Sequence, residues 1–301
     1  MFYVPSLVDY KISHFQSKPT DFPAISITGT RCSINCEHCQ GKVLETMIHA
    51  TSPANLKDIC RDLEEQGCRG CLITGGCTPD GSVPVERFVE TIGQIKKELG
   101  LSIVMHVGLV DRLKAKMLRE AGVDAVLADV IGSEKILREI FGVDSKVDDY
   151  LESLENLLNA GVKVVPHITV GLYHGKLEGE YESLKSISKL NPGALVIGAL
   201  MPLAGTPMEN VSPPTPQEIA QVLVTARQMM PKVPIVLGCT RPSGRHRIET
   251  DVLALKSGVN AIAYPMDETL KFAESMKIKF SFSATCCALA FKGGNKRALR
   301  R

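Results

Sequence analysis

The hydrophobic positions of the chain repeat one arrangement four times. A charged, amphipathic segment ends at a small residue followed by glycine, and a short apolar run comes next. The copies lie at 64–76 (EEQGCRGCLITGG), 118–129 (LREAGVDAVLAD), 157–171 (LLNAGVKVVPHITVG) and 254–265 (ALKSGVNAIAYP). Glycine commonly ends a helix because it adopts the left-handed conformation without steric cost. The apolar run after it is typical of a strand buried on both faces of a parallel sheet.

Extended along the chain, this pattern predicts eight strands that alternate with helices. The strands are predicted at 23–29, 70–75, 101–107, 124–129, 162–170, 195–200, 234–239 and 260–264. The helices between them include 51–67, 83–99, 109–121, 148–160, 215–230 and 247–257. Eight βα units in about 250 residues favour an α/β fold of the (β/α)8 TIM type, with a barrel that is complete or slightly open.

The barrel is predicted to span 21–277, with a short extension on each side. Residues 1–20 form the N-terminal extension and residues 278–301 the C-terminal one. The segment 277–291 (KIKFSFSATCCALAF) predicts an extra strand and a turn that cover the barrel mouth, followed by a basic tail.

Composition and charge exclude several classes of function. Hydrophobic residues make up 44% of the 301 and charged residues 23%, which allows a large globular core. The net charge of +2 gives no reason to expect nucleic acid or a membrane as partner. The start of the chain (MFYVPSLVDYKISHF) does not resemble an export signal, so we expect a cytoplasmic protein. Its ten cysteines are then better explained as metal ligands or buried residues than as a disulfide framework.

Three of these cysteines stand within eight residues of one another. Cys32, Cys36 and Cys39 follow the first predicted strand at CxxxCxxC spacing. Three thiolates at this spacing can each bind one iron of a [4Fe-4S] cluster and leave the fourth iron open to a substrate or cofactor. The alternative is a zinc site completed by His38 or a distant cysteine, although zinc sites usually pair two such knuckles and no second one occurs.

Other chemically active side chains follow the later strands. Because active sites of such barrels lie at the carboxyl ends of the strands, we expect these residues to converge on one rim. They are Cys77 after the second strand, His106 at the end of the third, Asp129 at the end of the fourth, His167 within the fifth and Cys239 at the end of the seventh.

With the CxxxCxxC loop after the first strand of a parallel βα barrel, and His38 just before the last cysteine, the sequence resembles the radical S-adenosylmethionine (SAM) superfamily. The resemblance implies a [4Fe-4S] cluster whose open iron is chelated by the amino and carboxylate groups of SAM. It also implies reductive cleavage of SAM to a 5′-deoxyadenosyl radical that abstracts hydrogen from an unactivated carbon. In this interpretation Cys32, Cys36 and Cys39 are both the metal ligands and the catalytic centre.

The resemblance also assigns residues to the binding of SAM. Thr74, Gly75 and Gly76 are similar to the glycine motif that receives the methionine amino group, with Cys77 where the family usually has an acidic residue. Asp129 resembles the residue that hydrogen-bonds the ribose, since a carboxylate accepts from both hydroxyls. Gly171 resembles the position where the backbone approaches adenine. His38 and His106 are predicted to line the cofactor site, and Arg241 to hold a carboxylate, although a charged helix start explains Arg241 equally well.

Within the superfamily the sequence most resembles the biotin synthase-like branch. The segments that carry this resemblance are LMPLAGTPME (200–209), ARQMMP (226–231), GCTRPSGRHR (238–247) and KSGVNAIAYP (256–265). Biotin synthase itself is disfavoured, because its second cluster uses cysteines on the third and fifth strands and this chain has none there. Cys77, Cys239, Cys286 and Cys287 are instead predicted to form a different auxiliary cluster, or else Cys239 and the adjacent pair are simply buried.

An auxiliary cluster beside the SAM site implies sulfur insertion. Among sulfur-inserting members the sequence most resembles the two-component lipoyl synthases, which add sulfur to an octanoyl group carried on a lysine of a small protein. The implied partners are that octanoylated lipoyl-carrier protein, a second radical SAM lipoyl synthase component, and a ferredoxin- or flavodoxin-type electron donor. One alternative is a biotin synthase-like or hydrogenase-maturase-like radical enzyme with one functional cluster. Another is a non-catalytic zinc-binding barrel.

Overall fold

The computed structural model describes residues 1–7 and 10–292, in which a curled sheet is wrapped by helices. The strands are β1 (Phe2–Tyr3), β2 (Lys11–Ile12), β3 (Phe15–Gln16), β4 (Ala24–Ser26), β5 (Ile48–His49), β6 (Gly70–Thr74), β7 (Ser102–Val107), β8 (Ala125–Asp129), β9 (Val164–Val170), β10 (Leu195–Ala199), β11 (Ile235–Leu237), β12 (Ala261–Ala263) and β13 (Phe282–Ser283). All eight strands predicted from the sequence are present, as β4, β6 and β7 to β12.

The helices follow the strands as the alternating pattern predicts. They are α1 (Pro53–Glu65), α2 (Val89–Leu99), α3 (Arg112–Glu120), α4 (Glu134–Ile136), α5 (Val147–Asn159), α6 (Glu180–Ile187), α7 (Pro216–Met229), α8 (Gly244–Lys256) and α9 (Asp267–Ser275). A π-helical turn, Leu137–Phe141, continues α4, and 3-10 turns span Lys42–Leu44 and Cys287–Lys292. The helix predicted from residue 83 begins only at Val89.

Local sequence explains where the helices begin. Ser52 caps α1, since its side chain accepts a hydrogen bond from the Asn55 amide and Pro53 follows at the first helical position. Thr215 and Glu218 form a reciprocal capping box at the start of α7. These caps fix the boundaries that hydrophobic periodicity alone leaves open by a few residues.

The main sheet contains eleven strands in the order β13-β1-β12-β11-β10-β9-β8-β7-β6-β4-β5, and its paired strands are parallel. Its two edge strands, β5 and β13, do not pair with each other. The fold is therefore a partial barrel, which confirms the predicted TIM-type architecture in its open form. A separate antiparallel hairpin joins β2 to β3.

Both chain ends enter the main sheet, although the sequence places residues 1–20 and 278–301 outside the barrel. Strand β1 lies between β12 and β13. Backbone amides of Phe2 and Val4 donate to Ser281 and Ser283 at 2.8 Å each. The extra strand predicted within 277–291 is present as β13, whereas β1 was not predicted because a two-residue strand is too short to leave a period in the sequence.

The two faces of the sheet contact different parts of the chain. The outer face packs against the helices in a core that includes Ile73, Ile103, Leu56 and Ile92. The inner face packs against the C-terminal segment, where the buried residues include Cys286, Cys287, Ala288 and Leu289. The last described residues fill the barrel interior instead of remaining outside it.

The C-terminal segment ends at the opposite end of the barrel from the one predicted. Lys292 Nζ lies 2.6 Å from Asp124 Oδ1, and Asp124 immediately precedes β8. Phe291 packs beside Gly193, which precedes β10. These contacts place Phe291 and Lys292 at the amino ends of the strands, so the last described residues lie at the floor of the barrel. The basic end of the tail, 293–301, lies outside the described residues.

None of the helices in the described part of the chain combines the length and the apolar composition needed to traverse a bilayer.

Candidate active site

A cavity of about 220 Å³ lies at the carboxyl ends of β4, β6, β7 and β8. The loop that follows β4 forms one wall of the cavity and the ends of the other three strands form another, while Phe141 of the π-helical turn and two residues of α5, Tyr150 and Ser153, complete the lining. The sequence-predicted residues that line it are Cys32, Cys36, His38, Cys39, Thr74, Gly75, Gly76, Cys77, His106 and Asp129. Most of the predicted site therefore does meet at one rim, as expected for a parallel βα fold.

The cysteine loop, residues 32–39, folds back on itself through left-handed residues. Asn35 and Gln40 have φ values of 55° and 46°, and Gly41 follows at 73°. The amides of Cys39 and Gln40 both donate to the Cys36 carbonyl, at 3.1 and 2.9 Å. This turn brings the side chains of Cys36 and Cys39 to the same side of the loop.

Two backbone hydrogen bonds fix the cysteine loop to the rest of the barrel. The Glu37 amide donates to the Ile140 carbonyl at 2.9 Å, and Ile140 belongs to the π-helical turn after α4. The Ser33 amide donates to the Cys77 carbonyl at 2.8 Å. The loop is thus held from both sides, by the segment after β6 and by the segment after β8.

The local electrostatics favour a thiolate in this loop. A hydrogen bond from Cys36, together with a smaller contribution from His38, outweighs the opposing effect of burial and lowers the pKa of Cys39 to about 4. The pKa of Cys36 is correspondingly raised. The His38 ring packs 5.5 Å from the Phe141 ring, and its Nδ1 atom is buried without a hydrogen-bond partner among the described residues. The loop therefore provides a thiolate, which is the form of cysteine that binds soft metal cations.

The geometry bears on the choice between zinc and an iron-sulfur cluster. Across residues 1–7 and 10–292, no three His, Cys, Asp or Glu side chains converge closely enough to hold one metal ion. Zinc needs such convergence, because all of its ligands bind the same ion. A [4Fe-4S] cluster spreads its thiolate ligands over separate irons. Three cysteines from one loop, each on its own iron, are the ligand arrangement that such a cluster uses.

The glycines after β6 are required by the close approach of the cysteine loop. A Cβ atom on Gly76 would lie 2.1 Å from the Arg31 carbonyl oxygen and 2.6 Å from the Cys32 Cα atom. The Gly76 amide donates to Thr28 Oγ1 at 2.7 Å, and Thr74 Oγ1 donates to the His106 carbonyl at 3.0 Å. Gly76 serves first to pack the loop against the strand, and its amide is already used within the protein.

Three ionisable side chains lie together deeper in the barrel. His106 Nε2 lies 3.4 Å from Asp129 Oδ2, and the rings of His106 and His167 are 5.6 Å apart. Burial alone would raise the pKa of Asp129, but the charge of His106 outweighs it and lowers the value to about 2. Burial also lowers the pKa of His106, but the charge of Asp129 outweighs it and raises the value. Asp129 is therefore a charged acceptor at neutral pH.

His167 behaves differently from His106. Burial, reinforced by the neighbouring charge of His106, lowers the pKa of His167 to about 4. The ring is thus neutral at physiological pH. Its Nδ1 atom lies 3.0 Å from the Val165 carbonyl and donates to it in the neutral state, which leaves Nε2 as an acceptor.

Arg241 does not reach the cavity, contrary to the prediction that it binds a cofactor. Its side chain is fully buried, and it forms an ion pair with Asp251 at 2.8 Å. The guanidinium also donates to the carbonyls of Gly238 and Tyr264. With its donors used inside the protein, Arg241 supports the segment that follows β11.

Gly171 is explained by packing, although the resemblance placed it beside adenine. It has a φ of 74°, and a Cβ atom there would lie 2.6 Å from the Pro214 ring. Its amide donates to Glu180 Oε1 at 2.8 Å. These contacts account for glycine at this position without a ligand.

The four cysteines predicted to share an auxiliary cluster fall into two groups. Cys77 lines the cavity beside the cysteine loop. Cys239, Cys286 and Cys287, which we call the interior cysteines, pack together on the inner face of the sheet. The predicted four-cysteine set is thus divided between the cavity and the inner face of the sheet. The three remaining cysteines, predicted to be buried, are so: Cys60, Cys68 and Cys71 lie in the outer core.

Sequence reasoning missed several residues that line the cavity. Tyr150, in the first turn of α5, lines it and makes no hydrogen bond through its hydroxyl to any described residue. Phe141 also lines it, next to His38. Much of the remaining surface is apolar and comes from Ile34, Val43, Leu44, Met47 and Val83. The periodicity of α5 marks Tyr150 as buried but gives no sign that it faces a cavity.

Comparison with protein families finds two matches that together span most of the chain. The profile of the radical SAM superfamily matches residues 26–184. The Biotin and Thiamin Synthesis associated domain matches residues 197–282. Two similar curated proteins are biotin synthase 2 of Polaromonas sp. (strain JS666) and the biotin synthase of Sorangium cellulosum (strain So ce56). Each is 26% identical to this chain, over 83% and 80% of it and over 74% and 69% of its own length.

Solved structures show the same fold at low sequence identity. Methylornithine synthase (PylB) superposes with a TM-score of 0.57 at 23% identity, over 83% of this chain and 73% of its own. HydG, a maturase of the [FeFe]-hydrogenase, superposes with a TM-score of 0.65 at 13% identity, over 97% of this chain and 66% of its own.

Proposed function

The chain belongs to the radical SAM superfamily, in its biotin synthase-like branch, and from this premise we propose that it inserts sulfur into unactivated C–H bonds. Membership implies a [4Fe-4S] cluster and SAM, which together supply a 5′-deoxyadenosyl radical that removes hydrogen from a substrate carbon. The observation that carries the further step to sulfur insertion is the grouping of the three interior cysteines inside the barrel.

The residues around the cavity fit the SAM-cleaving cluster. Cys32, Cys36 and Cys39 would hold it, since all three line the cavity from one loop and Cys39 favours the thiolate form. The buried, unpartnered Nδ1 atom of His38 lies at the same loop. Such a buried polar atom is costly unless it finds a partner, so it supports an occupied site.

The protein's own residues would bind SAM and keep water away from it. Asp129 stays charged, which suits it to accept hydrogen bonds from two ribose hydroxyls. The apolar side chains Ile34, Val43 and Met47 line the outer part of the cavity. An apolar lining limits the access of water, which protects reactive carbon species from side reactions.

The interior cysteines would hold the auxiliary cluster that provides sulfur. Cys286 and Cys287 are buried on the inner face of the sheet, and Cys239 packs against them from the end of β11. A hydrogen bond from Cys287, against the effect of burial, lowers the pKa of Cys286. A group of three thiols, one of them with a lowered pKa, suits an iron-sulfur cluster, whose protein ligands are cysteine thiolates. Cys77 is left out of this ligand set.

Two substrates are compatible with this chemistry. The curated relatives are biotin synthases, which supports sulfur insertion into a small biotin precursor. The lipoyl synthase alternative is supported by the residues on β7 and β9, which place His106 and His167 where the resemblance to biotin synthase calls for cysteines. In the lipoyl case the partners are an octanoylated carrier protein, a second radical SAM component and a ferredoxin- or flavodoxin-type donor.

The proposal is tested by counting iron and sulfide per chain after anaerobic reconstitution. The intact chain is expected to bind about eight irons, as two four-iron clusters. The variant Cys239→Ala/Cys286→Ala/Cys287→Ala is expected to bind about four, because it keeps only the cysteine loop. The matched control is Cys60→Ala/Cys68→Ala/Cys71→Ala, which removes three buried thiols of the outer core and should keep both clusters.

Iron counts that match in the intact chain and the interior variant would contradict sulfur insertion from an interior cluster. Such a result would favour the radical enzyme with one cluster. The substrate is then assigned by incubating the intact enzyme with SAM and reductant. An octanoyl-lysine peptide and the sulfur-free biotin precursor are offered separately, and mass spectrometry shows which one gains sulfur.

A further inference from the structure

Cys77 is a fourth thiol beside the cysteine loop, and neither cluster described above uses it. It directly follows Gly75 and Gly76 at the end of β6 and lines the same cavity as Cys32, Cys36 and Cys39. The interior cysteines form a separate group against the C-terminal segment. The structure therefore places four thiols around a cavity where the cysteine loop supplies only three cluster ligands.

The contacts around Cys77 hold it against the loop. Its carbonyl accepts the Ser33 amide at 2.8 Å. The neighbouring Gly76 lies so close that a Cβ atom there would be 2.6 Å from both Cα and Cβ of Cys32. Cys77 therefore cannot move away from the cysteine loop unless the end of β6 separates from it.

A [4Fe-4S] cluster held by three cysteines leaves one iron without a protein ligand. A thiolate is a preferred ligand for that iron, and a nearby cysteine competes with any other ligand for the position. Cys77 is only partly exposed, so it lies within the walls of the cavity and not on the outer surface.

We propose that Cys77 binds the open iron of the SAM-cleaving cluster when SAM is absent, and that SAM displaces it. The inference rests on the proposed SAM-cleaving cluster but not on sulfur insertion. On binding, the Cys77 thiol loses its proton to solvent and an Fe–S bond forms. When SAM arrives that bond breaks, the thiolate regains a proton, and the amino and carboxylate groups of SAM take the iron. No electron is transferred in either direction.

This arrangement makes the affinity for SAM depend on Cys77. The apparent dissociation constant rises in inverse proportion to the fraction of clusters whose iron is free. If Cys77 occupies the iron in about nine of ten molecules, its removal tightens SAM binding about tenfold. The same capping would shield the open iron from other ligands while the enzyme waits for SAM.

The experiment uses the full chain without its interior cysteines, so that a single cluster is observed. Mössbauer spectra of the ⁵⁷Fe-reconstituted protein are recorded with and without SAM. Without SAM, the parent is expected to show four irons with similar, all-sulfur coordination. Cys77→Ala is expected to show one distinct iron, and SAM should make one iron distinct in both proteins. SAM affinity, measured by equilibrium binding, should be about tenfold tighter for Cys77→Ala.

Two further variants keep the result interpretable. Cys68→Ala removes a buried thiol of the outer core and should leave spectrum and affinity as in the parent. Cys77→Ser preserves the size of the side chain, so it tests the ligand even if the alanine variant loads poorly. Its spectrum should show one distinct iron, because oxygen replaces sulfur.

A distinct iron in the parent without SAM, together with equal SAM affinity in parent and Cys77→Ala, would overturn the proposal. That outcome is independent of the iron count of the intact chain. Sulfur insertion can therefore fail while Cys77 capping stands, or the reverse.

Discussion

Arg241 and Asp251 form an ion pair whose side chains have no exposed surface. Burial raises the pKa of Asp251 even though Arg241 acts to lower it. Removing two charges from water is costly, and the attraction between them offsets that cost only where further hydrogen bonds satisfy both groups. Asp251 also accepts from Thr269 Oγ1 at 2.8 Å, and Arg241 donates to two carbonyls. The pair stabilises the fold, and replacing only one of its two residues would leave the other charge buried without a partner.

Substitution of Arg241 separates this structural role from the predicted cofactor role. Arg241→Ala leaves the Asp251 carboxylate buried without its partner, which should lower the free energy of unfolding by about 3–5 kcal/mol. The measurement is urea unfolding followed by circular dichroism. Because Arg241 does not reach the cavity, SAM affinity of the folded variant should not change.

The double variant Arg241→Met/Asp251→Asn is the control for the ion pair. It removes both charges, so its loss of stability should be smaller than the sum of the two single losses. Weakened SAM binding by Arg241→Ala at unchanged stability would instead restore the cofactor role.

At the residue scale, spacing predicts chemistry better than it predicts orientation. The three thiols of the cysteine loop could be predicted as metal ligands because their ability to bind one cluster depends on short-range spacing along the chain. Whether Arg241 faces the cavity or the core depends on Asp251, ten residues further along the chain. Tyr150 was missed for a similar reason, since the sequence pattern of a tyrosine that faces a cavity is the same as that of a tyrosine buried in a core.

At the scale of elements, the junction between β6 and the cysteine loop is the tightest contact of the site. Gly76→Ala would place a methyl group within 2.1 Å of a backbone oxygen of the loop. The added methyl group would meet the Arg31 carbonyl oxygen and the Cα and Cβ atoms of Cys32. Neither can shift far, because one is backbone and the other belongs to a cluster ligand. We expect the variant to lose most of its bound iron after reconstitution, as measured by iron analysis and visible absorption.

Gly93→Ala provides the matched control for this substitution. Gly93 lies inside α2, and the nearest atom to an added Cβ is 3.6 Å away, which is an ordinary contact. Alanine should therefore keep full iron content and stabilise the helix by about 0.5–1 kcal/mol. Equal iron content in the Gly76 and Gly93 variants would show that the loop can move away from β6.

The long elements were predictable because their patterns are long. Strands such as β9 combine an apolar run with a preceding helix-ending glycine, and this signal survives in a single sequence. Strands β1 and β5 contain two residues each and carry no such signal. Their place in the sheet is set by pairing with distant strands, which the local pattern does not encode.

At the scale of the whole molecule, the two chain ends depend on each other. Strand β1 joins β12 to β13, and the segment after β13 packs inside the barrel. Deletion of residues 1–4 removes both ladders of β1 at once. We expect amide hydrogen exchange in β13, Phe282–Ser283, to approach that of an unfolded chain, because β13 is an edge strand whose ladder partner is β1.

Exchange in β7 and β8 should change little in the same deletion variant, since neither strand contacts β1 in the sheet. The control is Lys11→Ala in the β2–β3 hairpin, an exposed position outside the main sheet. Retained protection of Phe282–Ser283 after the deletion would mean that interior contacts alone hold the C-terminal segment in place.

The open seam of the sheet carries a hazard that a closed barrel avoids. Unpaired strand edges can dock onto the edges of other molecules and begin aggregation. Here each edge strand, Ile48–His49 and Phe282–Ser283, offers only two residues. An edge of this length offers few backbone groups for hydrogen bonding to a strand of another molecule. The barrel can therefore remain open along one side without becoming a template for self-association.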